Sequence, residues 1–96
     1  MHKAIYKFPI HLAAAPAIHM HAGAEILHVG VQNGEVCAWA LVNPKAAMGL
    51  RMFNLIGNGH PIERDPGKYL ATVQLEKGTL VLHVFDATPP DDDTEL

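Results

Sequence analysis

Two apolar runs rich in β-branched residues, E-I-L-H-V-G-V-Q from Glu25 and E-V-C-A-W-A-L-V-N up to Asn43, meet at Asn33-Gly34. A two-residue type I′ turn needs positive φ at both central positions, and Asn-Gly tolerates that best. The stretch therefore reads as a β-hairpin. Its short loop sets the pairing: Gln32 faces Glu35, Val31 faces Val36, Gly30 faces Cys37, Val29 faces Ala38 and His28 faces Trp39. Side chains alternate along a strand. Leu27, Val29, Val31, Val36, Ala38 and Ala40 then share one face, and Ile26, His28, Gly30, Cys37, Trp39 and Leu41 the other. Gly30, diagonal to Trp39, leaves room for the indole ring. A half-exposed hairpin would alternate apolar with polar residues. Here both faces are largely apolar, so cover is expected on both sides, from the chain itself or from a second copy.

The other segments repeat the strand pattern. Lys3 to Ile10 alternates, with Ala4, Tyr6, Phe8 and Ile10 on one face and Ile5 and Lys7 on the other. Pro9 marks an edge or a strand end, because proline cannot donate to a ladder. His11 to Pro16 reads as a connector, Ala17 to His21 as a short strand, Pro44 to Gly49 as a loop or single helical turn, and Leu50 to Ile56 as a strand. Gly57-Asn58-Gly59-His60-Pro61 is a flexible loop, and Pro61 to Lys68 continues it as a polar connection. Tyr69 to Leu75 and Thr79 to Asp86 make a second hairpin around Glu76-Lys77-Gly78. A two-residue loop pairs Leu75 with Leu80, and a three-residue loop pairs it with Thr79. Six to seven short strands and no convincing helix predict an all-β fold, a small antiparallel β-sandwich or barrel.

The chain of 96 residues makes one domain, expected over residues 1–87, with a disordered acidic tail over 88–96. Such a domain can build only a small core. Its apolar content of 49% and charged content of 18% are those of a globular protein. The single cysteine, Cys37, excludes an internal disulfide framework. A net charge of -3 gives no electrostatic footprint for nucleic acid. No apolar run reaches membrane-spanning length, and the first residues lack the continuous apolar region of a signal peptide.

The phrases I-Y-K-F-P-I, I-L-H-V-G-V-Q-N-G-E-V-C-A-W-A-L-V-N-P, G-N-G-H-P-I and G-T-L-V-L-H-V-F-D resemble a family of small proteins encoded by bacteriophages and prophages. The resemblance spans most of Lys3 to Asp86 and is most specific in the hairpin and the G-x-G-H-P-I phrase. The histidine-rich stretch His11 to His21 and the acidic tail lie outside its pattern. It implies a cytoplasmic protein acting in an infected or lysogenic bacterium, and it supplies no catalytic residues.

The residues themselves offer several candidate sites. Adjacent glycines let backbone N–H groups turn toward an anion. Gly57, Asn58, Gly59 and His60, flanked by Arg51 and Arg64, are thus the leading ligand or partner contact. His28, Cys37 and Trp39 lie on one hairpin face as an interface or core cluster. A buried cysteine is usually inert packing, so a Cys37–His28 nucleophile and base is the weaker reading. His19 and His21 project from one face of a strand, and His11 or His28 would be a third ligand, but the usual zinc spacing is missing. Asp91, Asp92, Asp93 and Glu95 offer a lesser reading as a mimic of a phosphate backbone.

These residues and the resemblance together predict a non-enzymatic, homo-oligomeric binding protein without a cofactor. It would occupy a host protein or defence complex, as an anti-CRISPR-like inhibitor, or sequester a small nucleotide signal. The alternatives are a histidine-based metal-binding protein or enzyme, and a phage virion or assembly protein.

Overall fold

The computed structural model describes residues 2–88. Among them run β1 (Ala4–Pro9), β2 (Ala17–His21), β3 (Glu25–Gln32), β4 (Glu35–Val42), β5 (Met48–Gly57), β6 (Lys68–Leu75) and β7 (Leu80–Asp86). All pairings are antiparallel. A three-stranded sheet has the order β1-β4-β3 and a four-stranded sheet the order β2-β5-β7-β6. The two sheets close one core between them, which makes the fold a sandwich rather than a barrel.

Hairpin β3–β4 turns as its sequence requires, with Asn33 at φ 52° and Gly34 at φ 80°. The five pairs from Gln32–Glu35 back to His28–Trp39 all form. A bulge then intervenes: Ile26 pairs with Ala40, and Leu27 is the extra residue. The bulge corrects the expected faces. Ile26 turns inward against the core, whereas Leu27 is 47% exposed. A bulge inverts everything beyond it because side chains alternate with a period of two. The space above Gly30 is also taken by a different ring than expected. A Cβ there would lie 2.8 Å from His28 Nε2, so the imidazole fills it and stacks at 5.7 Å on Trp39.

The inner faces supply Val29, Val36, Ala38, Ala40 and Val42 from one sheet and Met20, Phe53, Leu55, Val73 and Val84 from the other, with Ile10 and Ala24. Ala38, Ala40 and Phe53 are fully buried. Burying a side chain of the Val, Leu or Phe type contributes about 1.5–3 kcal/mol. The chain covers only this face of the hairpin fully. On the outer face Cys37 is buried, but Trp39 and Leu41 are half-buried and His28 is exposed. Cover on both sides therefore does not come from the described part of the chain.

Pro9 ends β1, an edge strand, as its missing N–H dictates. Pro44–Ala47 is a turn held by Ala46 N–H on Asn43 O (2.9 Å) and Lys45 N–H on Asn43 Oδ1 (3.0 Å), and Gly49 already belongs to β5. In the second hairpin Leu75 pairs with Leu80, and positive φ at Glu76, Lys77 and Gly78 reverses the chain. The strands end where β7 runs on into Ala87 and Thr88. Ala87 N–H reaches Met52 O at 2.8 Å, and Thr88 Oγ1 accepts from Met52 N–H at 2.7 Å. The acidic tail beyond, with Asp91, Asp92, Asp93 and Glu95, lies outside the described residues.

Candidate binding cleft

Three turns gather at one end of the sandwich: Asn33-Gly34, Glu76–Gly78 and Gly57–His60. Gly34 and the Gln74–Gly78 stretch face each other across one depression. Gly57, Asn58 and His60 border a second, with Leu12, Leu55, Leu80 and Leu82. The Gly57–His60 segment is a tight turn in which His60 N–H reaches Gly57 O at 3.2 Å. Gly59, at φ 80°, occupies the third position, where a type II turn needs a left-handed residue. The His60 ring lies over Gly57, 3.7 Å from where a Cβ would stand.

The turn is pinned to the sheet through Asn58. Its Oδ1 accepts from His83 Nε2 (2.7 Å), His83 Nδ1 meets Thr72 Oγ1 (2.9 Å), and Thr72 Oγ1 meets Tyr69 OH (2.6 Å). One direction satisfies every partner: Tyr69 donates to Thr72, Thr72 to Nδ1, and the Nε2–H tautomer of His83 to Asn58. Among the described residues no acceptor meets the Asn58 amide N–H donors, which face the cleft rim with Oδ1 held this way.

The cleft beside the Gly57–His60 turn holds about 490 Å³, and the depression between Gly34 and Gly78 about 630 Å³. The floor of the cleft, Leu55, Leu80 and Leu82, is the end of the core itself, and its lip is the His11–Pro16 connector, from which Leu12 stands 58% exposed. A second cleft of about 400 Å³ adjoins it at Ala14, Leu55 and His60 and carries Asn54, Ile56 and Arg64. A mostly apolar hollow with a few convergent polar groups is the form binding sites usually take.

The two arginines part company. Arg64 lines the second cleft, but Arg51 lies six residues from Gly57 along β5, about 20 Å at roughly 3.3 Å per residue. Arg51 Nε and Nη2 donate to Asp86 Oδ2 at 3.1 and 3.0 Å, and Nη1 donates to Ala24 O at 2.9 Å. It clamps β5 to β7 and to the residue before β3, so its expected place in the ligand site is corrected to a structural one. Burial pushes the Asp86 carboxyl up. Hydrogen bonds from Arg51 and Thr88, with the Arg51 charge, outweigh that and hold it below its ordinary value of 3.8.

The remaining candidates stay apart from the cleft. Cys37 Sγ donates to Glu35 O at 3.6 Å, and His28 stacks on Trp39. His21 packs edge-on against Tyr6 and Phe8, at 5.5 and 6.1 Å, while His19 pairs opposite Leu50. Among the described residues no three His, Cys, Asp or Glu side chains gather as a metal site would require. Two contributors were missed in the sequence: the Leu12–Ala14 lip, read as a mere connector, and His83. Only the strand order β5-β7-β6 sets His83 between Asn58 and Thr72.

Fold and cleft together define an all-β sandwich with a cleft at its turn-bearing end. The profile of a domain of unknown function (DUF7352) matches residues 1–95, and the chain belongs to that family. Searches of curated proteins and of solved structures each found no match. No helix among the described residues is long and apolar enough to cross a membrane.

Proposed function

We propose that this chain is a non-catalytic binding protein that engages its target through the turn-bearing end. The observation that carries this reading is the convergence of three segments distant in sequence, Leu12–Ala14, Gly57–His60 and Thr79–Leu82, on one apolar cleft. The Asn58–His83 bond holds its polar rim in place. The resemblance to phage-encoded proteins supports a target within bacterial antiphage defence and a cytoplasmic setting. Of the two forms weighed, occupation of a host protein is favoured over capture of a nucleotide signal, because Arg51 is committed to Asp86 and only Arg64 adjoins the clefts.

The test is native mass spectrometry of the untagged protein after mixing with bacterial lysate, with two aspartate variants at exposed leucines. L12D alters the lip of the cleft, and L50D alters β5 away from it, where Leu50 is 54% exposed. Loss of the captured species in L12D alone supports the reading. Loss in L50D alone would move the site elsewhere.

A further inference from the structure

The connector that forms the lip of the cleft also continues the four-stranded sheet for a short distance. On that side of β5, Phe53 N–H reaches Pro16 O and Leu55 N–H reaches Ala14 O, both at 3.0 Å. The next donor in the series is the N–H of Gly57, since alternate residues of a strand bond to the same side. The connector has turned away by then, and the same alternation points the Gly57 N–H away from β7, where among the described residues no turn, loop or side-chain acceptor meets it. The ladder has a vacant place, and both clefts open beside it. Leu55, Leu80 and Leu82 on the core face floor one, and Asn54 and Ile56 on the outer face line the other.

We propose that this place accepts an extended peptide segment of a partner protein, added to the sheet edge at Gly57. Successive side chains of an added strand point to opposite faces. A bulky apolar side chain therefore enters the 490 Å³ cleft, and its immediate neighbour enters the other. That neighbour is acidic, because Arg64 lines its cleft and has no ion-pair partner within 4 Å among the described residues. Glu63 shares the cleft without reaching Arg64. The inference rests on the cleft being the binding site and adds the class of partner.

The test is selection of a random peptide library, displayed on filamentous phage, against the whole chain, followed by fluorescence-polarisation titration of an enriched peptide. Two variants at Gly57 isolate the ladder donor. G57A keeps the N–H, and its Cβ meets only the His60 ring at ordinary contact distance. G57P deletes an N–H that the fold leaves unused, and a thermal melt confirms that the variant is folded. We expect enriched peptides with a bulky apolar residue beside Asp or Glu, and G57P binding about five- to tenfold more weakly than G57A, which carries the added carbon but keeps the donor, the share of one hydrogen bond. R64E should turn the acidic preference basic. Failure to enrich any peptide, equal affinity of G57P and G57A, or no change of preference in R64E would each overturn the proposal. If L12D still abolishes lysate capture in that event, the cleft stands as the binding site and only the peptide is wrong.

Discussion

Asp86→Asn preserves the shape of the side chain and removes its charge. In the fold Asp86 Oδ2 receives two N–H groups of Arg51 at 3.0 and 3.1 Å, with the two side chains only 13% and 21% exposed. A hydrogen bond to a charged group contributes about 1.5–3 kcal/mol net. The two contacts share one oxygen, so they count as little more than one, and Arg51 keeps its bond to Ala24 O. The loss should be about 2–3 kcal/mol, on the order of 10–20 °C in Tm for a domain this small. Urea unfolding followed by Trp39 fluorescence measures it. Its pH dependence has a definite sign. The folded carboxyl titrates below its ordinary value of 3.8, so its contribution is complete above that value and disappears as pH falls through the folded one. Other carboxylates titrate alike in both proteins, and the gap between wild type and D86N should close at acid pH. A gap under about 0.5 kcal/mol at pH 7, or one that persists unchanged in acid, would refute the clamp.

Further substitutions probe separate parts of the fold. Phe53 is fully buried, and Phe53→Ala should cost about 3–5 kcal/mol in the same unfolding assay. Trp39 is only half-buried, so Trp39→Ala should cost less, about 1–3 kcal/mol by thermal melting. Gly67 sits at φ 108° with the Asp86 carbonyl where a Cβ would go, so Gly67→Ala should lower stability by more than about 2 kcal/mol in a denaturant titration. Gly30→Ala meets only the tip of His28, which can swing away, and should cost under about 1 kcal/mol while changing the His28–Trp39 contact seen by NMR.

Local chemistry carried much of this fold in plain view. Asn33-Gly34 encodes its own turn, and five residue pairs follow from it by counting. The count fails at Leu27 because a bulge is decided by how β3 fits the layer beneath it, not by its own alternation. The second hairpin was open between two registers because Glu76-Lys77-Gly78 can close in more than one way, and pairing of Leu75 with Leu80 selects one. The site was half legible. Gly57-Asn58-Gly59-His60 announces a turn with polar residues, but the sequence says nothing of what that turn will face. The Leu12–Ala14 lip and the leucine floor belong to it only through pairing across dozens of residues, such as Gly57 with Leu82. Arg51 looked like a partner of the loop by proximity in sequence, yet β5 is long enough to carry it to the far end of the sandwich.

Hydrogen–deuterium exchange of the protein alone and with its captured lysate partner tests the central claim most directly. The account predicts new protection at the Leu12–Ala14 connector, the Gly57–His60 turn and the start of β7 at Leu80–Leu82. Protection confined to the outer face around Trp39 and Leu41, with the turn-bearing end unchanged, would contradict it.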